Sequence, residues 1–150
     1  MAPWLTWLLM VLGGVAGALQ APVNATLARY VRPIPASLIS FTVGAVALLV
    51  VTLFTMRGQS LSSLAGGLSA APAWSLLGGL CGAVVVSAVI VGTGAVGANA
   101  TLSLITAVQL VTALLIDAAG LGTAVQIPIR WPQVVGLLLM IGGLKLVLTR

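Results

Sequence analysis

The sequence predicts an all-α, polytopic membrane protein with five transmembrane helices, and three observations carry that prediction. The chain is 61% hydrophobic, with a mean hydropathy of +1.27. Six basic residues and one acid are the only formal charges in 150 residues, whereas soluble domains carry about 25% charged residues. Apolar runs of membrane-spanning length recur along the chain, separated by short stretches rich in Gly, Pro, Ser and Arg.

The first helix is expected from about Pro3 to Leu27. Its opening, MAPWLTWLLM, lacks the basic n-region of a cleaved signal peptide and runs straight into a full span. Arg29, Tyr30 and Arg32 close it, and Pro33 and Pro35 predict a short extended connection, because the residue before a proline avoids the α region. The second helix covers residues 36–56, with Ser37, Ser40, Gly44 and Ala47 as a small-residue stripe. Residues 58–72 read as a polar connection.

The third helix runs over 73–91, with Gly78 and Gly82 in small-xxx-small spacing. Without a break at Gly92–Gly97, residues 73–118 would form one helix far longer than a bilayer crossing. The glycines there predict a tight turn. The fourth helix covers 98–118, a loop covers 119–131, and the fifth helix covers 132–149 with Pro132 in its first turn. Trp4, Trp7, Tyr30, Trp74 and Trp131 all fall at expected helix ends, where interfacial aromatic belts sit. The chain therefore reads as one five-helix transmembrane domain, with four spans as the alternative if the third and fourth helices are misdivided.

Charge excludes several function classes. The net charge of +5 comes from Arg29, Arg32, Arg57, Arg130, Lys145 and Arg150 against Asp117. These are isolated residues at helix ends, which suit lipid headgroups and topology, not nucleic acid. With no histidine, a lone Cys81 and one acid, the chain has no metal cluster, no catalytic dyad and no cofactor motif. It reads as a non-enzyme. It also lacks the mid-membrane acid on which proton-coupled transporters commonly rely.

Two polar stripes remain. On the first helix Thr6, Gly13, Gly17, Gln20 and Asn24 fall within a sector roughly 60° wide, with Pro22 predicting a bend beside them. On the fourth helix Asn99, Ser103, Thr106, Gln109, Ala113 and Asp117 share a sector of about 120°. Thr101 and Thr112 lie outside it, where a hydroxyl bonds back to its own helix. Gln20, Asn24, Ser103, Thr106 and Gln109 are the candidate substrate-cavity residues. The competing reading makes their bonds interhelical glue, worth about 0.6 kcal/mol each. Gly13, Gly17, Gly44, Gly78 and Gly82 are candidate packing positions. Asp117 sits at the unfavourable end of a helix dipole and wants a partner, with Arg130 the nearest in sequence; the pair is either an ion pair or a coupling site.

The runs GGVAGALQAPVNATLARYVRPIPASLISFTVGAVALL, PAWSLLGGLCGAVVV and GAVGANATLSLITAVQLVTALLIDAAGL carry a family resemblance. Gln20 with Asn24, then Ser40, Phe41 and Gly44, then Trp74 with Gly78 and Gly79, then Gly97, Gln109, Asp117 and Gly120 stand in the order found there. The chain resembles the small five-helix, single-repeat branch of the drug/metabolite transporter superfamily, a relative of the small multidrug resistance proteins. The resemblance implies an inner-membrane transporter of small organic solutes, built as one repeat of an inverted-repeat fold. The four-helix relatives use a membrane glutamate, and this chain has none; neutral or anionic solutes are therefore expected over lipophilic cations.

One repeat is too little to enclose a solute and alternate its access, so a second copy is expected as partner. Arg57 and Arg130 lie on the side of the N-terminus, against Arg29, Arg32, Lys145 and Arg150 on the other. That small bias permits insertion both ways, and hence an antiparallel, dual-topology homodimer. The alternative is a non-transporting membrane scaffold or partner subunit.

Overall fold

The computed structural model describes residues 3–56, 61–120 and 127–149. Six α-helices follow in order: α1 Pro3–Val31, α2 Pro33–Thr55, α3 Leu61–Ala70, α4 Leu77–Val96, α5 Ala98–Ala119 and α6 Trp131–Leu148. A 3₁₀ turn at Ala73–Leu76 leads into α4. Five spans are long and apolar enough to cross a membrane, and α3 is the exception. The fold is an all-α, polytopic one.

Where the helices end differs from the sequence reading, for local reasons. The extended connection expected at Pro33–Pro35 contracts to Arg32 alone, with φ 73° and ψ 160°. Both prolines then enter the first turn of α2, where a missing N–H costs no helical bond. The six-residue turn expected at Gly92–Gly97 likewise contracts to Gly97, at φ 88° and ψ 160°. Gly92 and Gly94 remain helical, extending α4 to Val96. The connection after α2 contains α3, whose Leu61, Leu64 and Leu68 recur at helical spacing within a Gly/Ser-rich segment.

Two ends are capped by their own chemistry. Gly120 takes the left-handed conformation, φ 69°, and its N–H donates to the carbonyls of Ile116 and Asp117. At the start of α6 the Arg130 N–H donates to Gln133 Oε1 at 2.8 Å, while the Gln133 N–H donates to the Arg130 carbonyl at 2.9 Å. Pro22 lies inside an unbroken α1, and the Thr26 hydroxyl donates to its carbonyl at 2.8 Å. Thr101 and Thr112 bond back to Gly97 and Val108, each at 2.8 Å, as their positions predict.

The chain divides into two compact units: residues 19–91, and residues 92–149 with α1 up to Ala18. In the first, α2 and α4 pack antiparallel. The Ser87 hydroxyl donates to the Ser37 hydroxyl at 2.9 Å, and Phe41 lies against Gly82, 3.4 Å from where a Cβ would stand. Fully covered positions there are small or aliphatic: Ala21, Ala36 and Ile90. In the second unit α5 packs on α6, and Thr101 and Ala107 are its buried residues. Leu, Val, Ile and Met side chains are exposed along every span. Such a surface suits lipid, which leaves only close packing and polar contacts to hold helices together.

Candidate functional site

Asn24 is the one candidate cavity residue that the fold buries. It is 5% exposed, and its Nδ2 has no hydrogen-bond partner among the described residues. It lies one turn beyond Gln20, which is exposed, and on the face that also buries Ala21. The two amides therefore share a helix but not an environment. Leaving a buried donor unmet costs about 1–3 kcal/mol.

On α5, Ser103 and Thr106 line a cleft of about 460 Å³ against Met140, Leu144 and Val147 of α6. The Ser103 hydroxyl donates to Asn99 Oδ1 at 3.4 Å, a long contact that leaves it available. Gln109 is exposed and belongs to neither this cleft nor the next. A second cleft, of about 330 Å³, lies farther along the same pair of helices. Asp117 and Gln133 stand at its polar end and Met140 at its apolar end. Met140 lines both clefts.

Asp117 and Arg130 are not brought into an ion pair among the described residues. Asp117 is half-buried and turned to the α5/α6 cleft, while Arg130 is exposed at the start of α6.

The packing glycines divide in the same way. Gly82 receives Phe41, but nothing described lies within 4 Å of a Cβ built on Gly13, Gly17, Gly44 or Gly78. Those four faces are unoccupied among the described residues. The tightest approach is at Gly92, where a Cβ would stand 2.6 Å from Thr101 Cγ2. Sequence reasoning had read Gly92 as part of a turn. Gln133 and Met140 were also missed, because α6 carries only Gln133 and Lys145 as polar side chains, one near each end, too few to mark a stripe.

A family model described as "Putative inner membrane exporter, YdcZ" matches residues 5–146. No curated protein and no solved structure matches the chain.

Proposed function

The chain belongs to this inner-membrane exporter family of the drug/metabolite transporter type, and on that premise we propose that it carries small organic solutes across the inner membrane as an antiparallel homodimer. Five spans and the family match make it a multi-pass inner-membrane protein. The finer reading rests chiefly on Asn24. A scaffold asparagine would spend its amide on a neighbouring helix, whereas this one is buried with its Nδ2 unmet. Its Nδ2 is closed off in this conformation, so the carbonyl, carboxylate or hydroxyl oxygen of a solute would meet it in a state in which the surrounding helices part.

That need favours neutral or anionic solutes with oxygen acceptors over quaternary ammonium cations, whose charged nitrogen accepts no hydrogen bond. Gln20 presents a second amide one turn away, on the exposed side of the same helix. The homodimer follows from the single repeat: a second, inverted copy completes the transporter, and the uncovered faces at Gly13, Gly17, Gly44 and Gly78 allow the close approach it requires.

Asn24→Leu separates carrier from scaffold. Purified protein is reconstituted in proteoliposomes, and uptake is followed for a panel of neutral amino acids, monocarboxylates and quaternary ammonium compounds. The wild type is expected to move a neutral or anionic member. Asn24→Leu is expected to lose that movement by about tenfold or more, as when one polar contact to substrate is removed, with its thermal midpoint unchanged or raised. Lowered stability in Asn24→Leu with transport intact would make Asn24 structural glue and end this reading.

A further inference from the structure

We propose that the Asp117 end of the α5/α6 cleft binds a phospholipid with a primary ammonium headgroup: its ammonium on the Asp117 carboxylate, its phosphate on Arg130, and one acyl chain in the cleft. The proposal concerns a different surface from Asn24 and does not depend on the solute reading.

The first argument is depth. Asp117 lies two residues before the end of α5, and Arg130 immediately precedes α6, so both stand at the same end of this helix pair. Trp131, 73% exposed and next in sequence, marks that end as headgroup level. The cleft runs inward from there, past Leu110, Leu114 and Leu137 to Met140. Seven residues separate Gln133 from Met140, a rise of about 10 Å. Half of a bilayer core is about 15 Å, so the cleft lies within the depth of one acyl chain. Gly136 opens its wall, with nothing described within 4 Å of a Cβ built there.

The second argument is charge. Asp117 is the only acid in the chain, half-buried, at the helix end where the dipole disfavours a carboxylate. The obvious protein cation, Arg130, makes no ion pair with it among the described residues. Asp117 in the cleft lining and Arg130 outside it, at the same end of the helix pair, offer opposite charges that match a zwitterion. The pairing also selects among headgroups. A primary ammonium brings N–H donors for charge-assisted bonds to the carboxylate, and a quaternary one brings none. An anionic headgroup suits Arg130 but is repelled by Asp117. Gln133 Oε1 already accepts from the Arg130 N–H at 2.8 Å, and as a neutral amide oxygen it is a weaker acceptor for a cation than a carboxylate. The Asp117 carboxylate is the stronger acceptor at the mouth.

The test uses full-length protein in detergent, with retained lipid counted by native mass spectrometry. Phosphatidylethanolamine, phosphatidylcholine and phosphatidylglycerol with the same acyl chains are added in turn. The ethanolamine lipid is expected to bind about tenfold more tightly than either other, the size of one charge-assisted hydrogen bond. Asp117→Asn is expected to bring it down to the choline level, while Asp117→Glu keeps the preference. Met140→Trp, which fills the cleft, is expected to weaken all three.

Equal retention of the three lipids by the wild type overturns the proposal, as does a preference that survives Asp117→Asn. Should Asp117→Asn fail to fold, the wild-type series together with Asp117→Glu and Met140→Trp decides. A Gly136→Cys variant in a Cys81→Ala background that cross-links rapidly to a second copy would show a protein occupant instead, and would equally overturn it.

Discussion

Replacing Gly92 by alanine builds a methyl group into the closest approach at any of the described helical glycines. The added Cβ would stand 2.6 Å from Thr101 Cγ2, 2.8 Å from its Oγ1 and 3.3 Å from its Cβ. Thr101 has little freedom to yield: it is 5% exposed, β-branched, and held by its hydroxyl on the Gly97 carbonyl at 2.8 Å. Two effects oppose each other. Alanine is the better helix former by about 1 kcal/mol, and overpacking costs about 1–3 kcal/mol.

Gly94, two residues along the same helix, isolates the second effect. Nothing described lies within 4 Å of a Cβ there, so Gly94→Ala receives the propensity gain without the clash. The two variants should differ by about 1–3 kcal/mol, with Gly92→Ala the less stable. Thr101→Ala removes the two nearest atoms and gives up one hydroxyl bond, worth about 0.5–1.5 kcal/mol. In the double variant the closest remaining atom is Thr101 Cβ, at 3.3 Å, and the cycle should show a coupling of about 1–2 kcal/mol. Unfolding in mixed micelles, followed by tryptophan fluorescence, measures all four species. Equal shifts for Gly92→Ala and Gly94→Ala, or a cycle that closes additively, would refute the close approach.

Arg32→Gly should raise stability by about 1–2 kcal/mol, because a non-glycine residue at φ 73° and ψ 160° carries about 1–3 kcal/mol of strain; a lowered midpoint in the same assay would contradict this. C-terminal fusions reporting separately on the two compartments should both be active from one coding sequence, as expected of dual topology. Activity in only one compartment, unmoved by relocating a single arginine, would rule that out.

The five spans were legible because length and apolarity settle them before any contact is known. Their junctions were less so. Gly and Pro announce a break but not its size, and here each tight break is a single residue, Arg32 or Gly97. The leucine spacing of α3 was visible but outweighed by its Gly and Ser content. On α1 the polar stripe held Gln20 and Asn24 together, yet only Asn24 is buried. Periodicity finds a face reliably when its opposite is polar. In a membrane the outer face is as apolar as the packed one, so a sector some tens of degrees wide does not say which edge is covered. Ser103 and Thr106 proved to share a cleft and Gln109 to stand beside it for the same reason. Their neighbour, α6, carries only Gln133 and Lys145, one near each end, and two such positions do not mark a packed side.

The two tight junctions meet one geometric demand with different residues. In each, the junction N–H donates to the carbonyl four residues back: Arg32 to Ala28 at 2.9 Å, Gly97 to Thr93 at 3.2 Å. In each, the junction carbonyl accepts from four residues ahead: from Ala36 at 3.0 Å, and from Thr101 at 3.2 Å. The ladder thus resumes at once on the other side of a single residue with positive φ. A reversal that short forces the flanking turns together, and one side must be small. At the second junction Gly92 yields to Thr101. The same offsets at the first name Leu27 and Ala36, with Ala36 wholly buried, so the small residue sits on the other helix.

The junction residues differ in what they add. Gly97 takes its conformation freely. Pro33 already directs Arg32 toward high ψ, so only φ opposes an arginine there. The strained residue places a cation at a helix end, where glycine would place none. By the sequence count, Arg32 is one of four basic residues facing two on the other side. Arg32→Gly would relieve the backbone and leave three against two. It should therefore stabilise each folded chain while making the two insertion orientations more nearly equal, two effects that a merely solvated surface arginine would not link.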